Sequence, residues 1–133
     1  MLKLNHMNLP VSNVPDLTRF FVEAFGFRLV DQRGNGNFSV LVAADGFVLI
    51  LLRDKKVDAT TYPALFHVGF RLDSKPEVMR RHQAIVEAGF EVPQPDILDR
   101  GGYETFGFYC KAPGGITVEV STPETYAERK TSE

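Results

Sequence analysis

Two histidines and one glutamate carry the strongest chemical signal in this chain. His6 stands in L-N-H-M-N-L, His67 in F-H-V-G-F and Glu119 in G-I-T-V-E-V. Imidazole nitrogens and carboxylate oxygens are donors that divalent transition ions accept. Two His and one carboxylate with open positions is the arrangement of a non-haem Fe(II) site, and it also suits Mn(II), Zn(II), Ni(II) or Co(II). Along residues 116–121, Ile116, Val118 and Val120 point to one face of a strand, and Thr117, Glu119 and Ser121 to the other. Burying an unpaired carboxylate there costs several kcal/mol, so Glu119 needs a cation, a metal or water. A solvated outer sheet face answers that need as well as a metal does.

The elements around these residues decide between the two readings. Residues 2–11 alternate as a strand, with Leu4, His6 and Asn8 on one face and Met7, Leu9 and Val11 on the other. Ser12 or Asn13 caps a helix with Pro15 in its first turn. Leu17, Phe20, Phe21, Ala24 and Phe25 form its apolar stripe, and Gly26 ends it. Three strands follow over residues 27–32, 38–43 and 47–53, with Gly34-Asn35-Gly36 and Asp45-Gly46 as turns. Residues 54–63 are polar and read as a linker. The pattern then restarts with a strand over 65–72 that places His67, Gly69 and Arg71 on one face. Ser74-Lys75-Pro76-Glu77 is a capping box. Its helix turns Val78, Met79, His82, Ile85 and Val86 inward and stops at Gly89. A short strand over 90–92 is broken by Pro93 and Pro95, and a long loop runs to Gly102. Pro113-Gly114-Gly115 joins the last two strands.

The chain therefore holds one unit, β-α-β-β-β, twice. His6 and His67 lie 61 positions apart, as do Val11 and Leu72, and Pro15 and Pro76. Beyond the last turn the spacing is 69, relating Leu49 to Val118 and Ile50 to Glu119. If the two units face each other about a pseudo-twofold axis, His6, His67, Glu119 and Ile50 converge. Three of these are metal-ligand types, on repeat-equivalent strands, which favours a metal site. His82 lies at core spacing on a helix without a ligand-type repeat partner and reads as structural.

With 133 residues, 44% hydrophobic, the chain is the size of a single domain with a packed core. A net charge of −2 without a basic run argues against nucleic acid or an anionic membrane surface as partner. No apolar run reaches the roughly 20 residues of a membrane span, and no signal-peptide pattern opens the chain. The single cysteine, Cys110, fits a reducing, cytoplasmic compartment.

On L-N-H-M-N-L-P-V-S-N-V-P-D-L-T-R-F-F, F-H-V-G-F and A-P-G-G-I-T-V-E-V, the chain resembles the vicinal oxygen chelate superfamily of glyoxalases, bleomycin resistance proteins and extradiol dioxygenases. The resemblance implies an α+β fold of two tandem βαβββ modules, forming a curled mixed sheet around a cavity. It spans residues 1–121: module one 1–53, linker 54–63 and module two 64–121, followed by a polar tail at 122–133. It places metal ligands at His6, His67 and Glu119, and Ile50 where glyoxalase I has a fourth, carboxylate ligand. Phe108-Tyr109-Cys110-Lys111-Ala112-Pro113-Gly114-Gly115 followed by Glu119 is similar to the extradiol dioxygenase signature. In that setting Tyr109 is a catalytic group hydrogen-bonding an oxygen at the metal; a packed strand aromatic is the other reading. The signature's upstream His is absent, and Arg100, Gly101 and Gly102 occupy that region. The Ser of fosfomycin-modifying enzymes is replaced by Gly107, and bleomycin-binding relatives lack metal ligands.

The expectation is a divalent-metal-dependent enzyme, closest in local motif to extradiol-type dioxygenases. The alternative is a small-molecule or antibiotic-binding or resistance protein of the same fold, of fosfomycin-modifying or bleomycin-binding type. Substrate-binding candidates are Arg53, Arg100, Ile50 and Tyr103, with surface roles as the alternative for the two arginines. Val48, Ile50 and Leu52 make an apolar wall, which suits a partly apolar or aromatic substrate with an oxygen-rich end. The resemblance also implies a homodimer with sites shared between chains.

Overall fold

The computed structural model describes residues 1–123. The chain divides into two compact units. The first comprises Met1–Leu65 with Ala112–Ile116, and the second Phe66–Lys111 with the segment from Thr117 onward.

In the first unit, β1 (His6–Val11), α1 (Val14–Phe25), β2 (Arg28–Arg33), β3 (Phe38–Val42) and β4 (Val48–Arg53) form a four-stranded sheet in the order β1-β4-β3-β2. Asn13 caps α1, its side chain accepting from the Asp16 N–H at 3.0 Å, and Gly26 ends the helix at φ 72°. Leu17, Phe20, Phe21 and Ala24 are fully buried with Leu41, Leu49 and Leu51 of the sheet. At about 1.5–3 kcal/mol for each large side chain removed from water, this interface dominates the unit's stability. Thr18, 2.7 Å from the Val14 carbonyl oxygen and 3.0 Å from Ser39 Oγ, is the polar pin of the same interface. The segment after β4 packs back on this unit, where the Tyr62 hydroxyl donates to the Pro10 carbonyl at 2.6 Å. Burial pushes the Tyr62 phenol pKa up. The turn at Ala112–Ile116 also belongs to this unit; a Cβ on Gly115 would come within 2.7 Å of Ala59 Cβ, so glycine is required there.

The second unit repeats the plan. β5 (His67–Arg71), α2 (Lys75–Glu87), β6 (Asp96–Asp99), β7 (Glu104–Lys111) and β8 (Thr117–Thr122) form a sheet in the order β5-β8-β7-β6. Ser74 caps α2 through the Glu77 N–H, and Glu77 returns a bond to the Asp73 N–H at 2.9 Å. In both sheets the first and last strands of the unit run parallel and the others antiparallel. The registers match: His6 faces Val48 and Asn8 faces Ile50, as His67 faces Thr117 and Gly69 faces Glu119. The spacings of 61 and 69 read from the sequence are those of the two sheets, and the fold is the tandem βαβββ arrangement of an α+β protein.

Several predicted elements move. β1 starts at His6 rather than residue 2, because Leu2 and Leu4 lie exposed outside the sheet. The strand expected at 90–92 is not formed; its place is taken by β6, beyond Pro93 and Pro95, which pairs with β7 alone. On α2, Val78, His82 and Ile85 are buried as expected, but Met79 and Val86 are 46% and 45% exposed, so the buried stripe is narrower than predicted. His82 is a core residue, its ring edge-on to Phe108 at 5.5 Å. Of the segment expected as a polar tail, Thr122 closes β8 and is buried, and residues 124–133 lie outside the described residues.

Candidate functional site

The period of two sorts β7 and β8 into two faces. Phe108, Cys110, Val118 and Val120 are buried on the face toward α2. On the other face Tyr109 stands opposite Glu119, and Lys111 opposite Thr117. The parallel neighbour β5 places Gly69 beside Glu119, and His67 two residues back on the same face. The His67 Nε2 atom thereby comes within 3.6 Å of Glu119 Oε2. Gly69 leaves the room for this approach, since a Cβ there would lie 3.3 Å from the same oxygen.

Glu119 is 8% exposed, and its charge is met by Arg100. This arginine sits at the β6–β7 turn, held by its N–H to the Tyr103 carbonyl at 2.8 Å. Its guanidinium reaches across the sheet. One Nη donates to Glu119 Oε1, the other to the Tyr109 hydroxyl at 2.6 Å, and Nε to Thr105 Oγ1 at 3.1 Å. The His67 and Tyr109 rings meet edge to face at 5.8 Å. The second unit thus gathers His67, Glu119, Tyr109 and Arg100 on one face. Arg100 and Tyr109 were legible as candidates, but the grip of Arg100 on the carboxylate and its bond to the Tyr109 hydroxyl were not, and Thr105 gave no signal in the sequence.

The donor set suits a transition ion. Two ligands about 2.1 Å from one ion stand roughly 3.0–3.4 Å apart, and the His67–Glu119 separation is close to that range. Of the predicted third ligand, the first unit holds His6 exposed at the start of β1, with Nδ1 paired to Asn5 Oδ1 at 2.7 Å. An Nδ1 so engaged orients the ring and leaves Nε2 as the donor atom for a metal. Among the described residues, no three His, Cys, Asp or Glu side chains form a metal-binding group.

Ile50, half-buried, shares its face of β4 with Val48 and Leu52, and Arg53 is exposed at the strand's end. Tyr103 is 50% exposed in the turn after Arg100. A cleft of about 340 Å³ beside α2, lined by Leu72, Glu77, Arg80, Arg81 and Ala84, contains none of the site candidates. Gly107 stands opposite Ser121, and a Cβ there would collide with the Val120 carbonyl oxygen and with Ser121. The backbone therefore excludes the serine of the fosfomycin-modifying pattern at this position.

A family model described as the Glyoxalase/Bleomycin resistance protein/Dioxygenase superfamily matches residues 3–120. The chain belongs to that superfamily. Among solved structures it is similar to a possible glyoxalase from Bacillus cereus, with 36% identity, a TM-score of 0.72, and coverage of 91% of this chain and 99% of that one. A lactoylglutathione lyase from Agrobacterium tumefaciens shares the fold at 18% identity and a TM-score of 0.68, covering 95% and 97% of the two chains. A glyoxalase/bleomycin resistance protein/dioxygenase from Alicyclobacillus acidocaldarius does so at 17% identity and a TM-score of 0.71, covering 90% of each. No curated protein matches. No helix among the described residues is long and apolar enough to cross a membrane.

Proposed function

We propose that this superfamily member is a divalent-metal-dependent enzyme using His6, His67 and Glu119 as ligands. The observation that carries the reading is the approach of His67 Nε2 to Glu119 Oε2 at 3.6 Å, on the strands where the internal repeat predicts ligands. A divalent ion supplies Lewis-acid stabilisation of developing negative charge on a substrate oxygen, or O₂ activation when it is Fe(II). Around it, His67 and Glu119 donate lone pairs, and Tyr109 holds a hydroxyl at the edge of the site. Arg100 places positive charge beside an oxygen-rich, anionic end of the substrate. Val48, Ile50 and Leu52 give the apolar wall against which a partly apolar or aromatic body packs. Tyr103 and Arg53 are further contacts in this reading.

Superfamily members bind small molecules and often form dimers. A homodimer here shares two sites, each with His6 from one chain and His67 and Glu119 from the other. A domain spanning 1–121 in a reducing, cytoplasmic setting agrees with the lone buried Cys110.

The testing experiment is reconstitution with Fe(II), Mn(II), Co(II), Ni(II) or Zn(II), followed by a screen of oxygen-rich aromatic compounds under aerobic and anaerobic conditions. Metal-dependent turnover of any of them supports the enzyme; metal binding without turnover removes the catalytic part of the reading. The Arg100–Glu119 pair favours a second reading. A carboxylate already neutralised by an internal cation has less need of a metal, which suits a small-molecule binding or resistance protein. Tight binding of such a compound to metal-free protein, without turnover, supports that one.

A further inference from the structure

The two oxygens of Glu119 have different neighbours. Oε2 faces His67 Nε2, while Oε1 is taken by Arg100. The pair is shielded, with side-chain exposures of 20% for Arg100 and 11% for Glu119. Shielding strengthens the interaction between charges and makes an uncompensated carboxylate costly. Arg100 is itself positioned on three sides, by Thr105 Oγ1, the Tyr109 hydroxyl and the turn that fixes its backbone. That turn carries Gly101 at φ 78° and Gly102 at φ 141°, conformations that favour glycine and set the hairpin from which the side chain reaches back to β8.

We infer that Arg100 is a resident counter-cation that sets how tightly a divalent ion binds at Glu119. This rests on the proposed metal site. The guanidinium cancels the charge that an incoming ion would otherwise meet, and it stands close enough to repel that ion. It also leaves Glu119 a single oxygen to offer, directed toward His67. Weak, exchangeable metal binding follows from these contacts, and Arg100 is a positioning residue rather than a ligand. Removing the guanidinium leaves the carboxylate without its cation, so a metal becomes the preferred partner.

The test is titration with Co(II), followed by calorimetry and by visible absorption. Arg100→Gln should bind Co(II) about tenfold more tightly than the wild type or better, because like charge beside the ligand has been removed. Arg100→Lys, which keeps the charge, should stay near the wild-type affinity. Thr105→Val preserves side-chain shape but frees Nε, and should tighten binding by about twofold. If Arg100→Gln does not fold, Thr105→Val decides in the same direction. Equal or weaker binding in Arg100→Gln and Thr105→Val, with wild-type binding lost in Glu119→Gln, overturns the role of Arg100 and spares the metal site. Binding that survives Glu119→Gln, or that occurs in no variant, refutes both.

Discussion

The two halves of the repeat share topology and register but not chemistry. On the face of β4 away from α1, Val48, Ile50 and Leu52 stand beside His6 and Asn8 of β1. On the corresponding face of the second unit, Thr117, Glu119 and Ser121 stand beside His67 and Gly69, with Arg100 laid across them. One face is an apolar wall carrying a single imidazole; the other is a charged cluster with its own counter-ion. The helix-facing positions of β4 and β8 show no such divergence: Leu49 and Val118, like Leu51 and Val120, are repeat-equivalent, apolar and buried. On these two strands the helix-facing positions have kept one character, and those on the opposite face have separated.

The sharpest way to break this comparison is to damage one half at a time. His6→Ala and Glu119→Ala chains should each lose metal binding. A co-refolded mixture should recover it, because a hybrid dimer holds one doubly damaged site and one intact site. Hybrids that form without regaining metal would mean that each chain builds its own site. A smaller effect is expected in the core. Leu49→Ala and Val118→Ala should cost about 3 and about 2 kcal/mol in chemical denaturation, since both delete fully packed volume. A negligible loss at either position would contradict the equivalence of the two cores. Ile50→Glu restores a carboxylate at the repeat mate of Glu119 and should tighten Zn(II) binding about tenfold, or about 1.4 kcal/mol. Unchanged affinity in a folded variant would show that residue 50 does not face the metal. The mildest pair is Asn13→Ala and Ser74→Ala, each expected to lower stability by about 1 kcal/mol as helix caps. A Tm shift in one alone would show that one helix does not depend on its cap.

Much of this was legible because the signals were local or periodic. Asn13 with Pro15, Ser74 with Glu77, and the alternation through 116–121 act within a few residues of themselves, and each produced its expected element. The repeat carried information further, matching His67 to His6 and Glu119 to Ile50 and so marking His67 and Glu119, 52 positions apart, as candidates for one site. Legibility ended where a partner is chosen by hairpin geometry. Arg100 reaches Glu119 only because β6 pairs with β7, and β6 was hidden in D-I-L-D, a short strand with a half-exposed Ile97. Pro93 and Pro95 marked a break correctly, but the strand lay after them rather than before. Nothing in the sequence marks the burial of Cys110, whose place on β7 against α2 pushes its thiol pKa up to about 11.

The central claim is that one divalent ion binds where the repeat brings His67 to Glu119. Its most direct test is the number of ions bound per chain at saturation in equilibrium dialysis, in the wild type, His67→Ala and Glu119→Ala. The account predicts one ion per chain in the wild type and none in either variant. Stoichiometric binding that persists in both variants would contradict it.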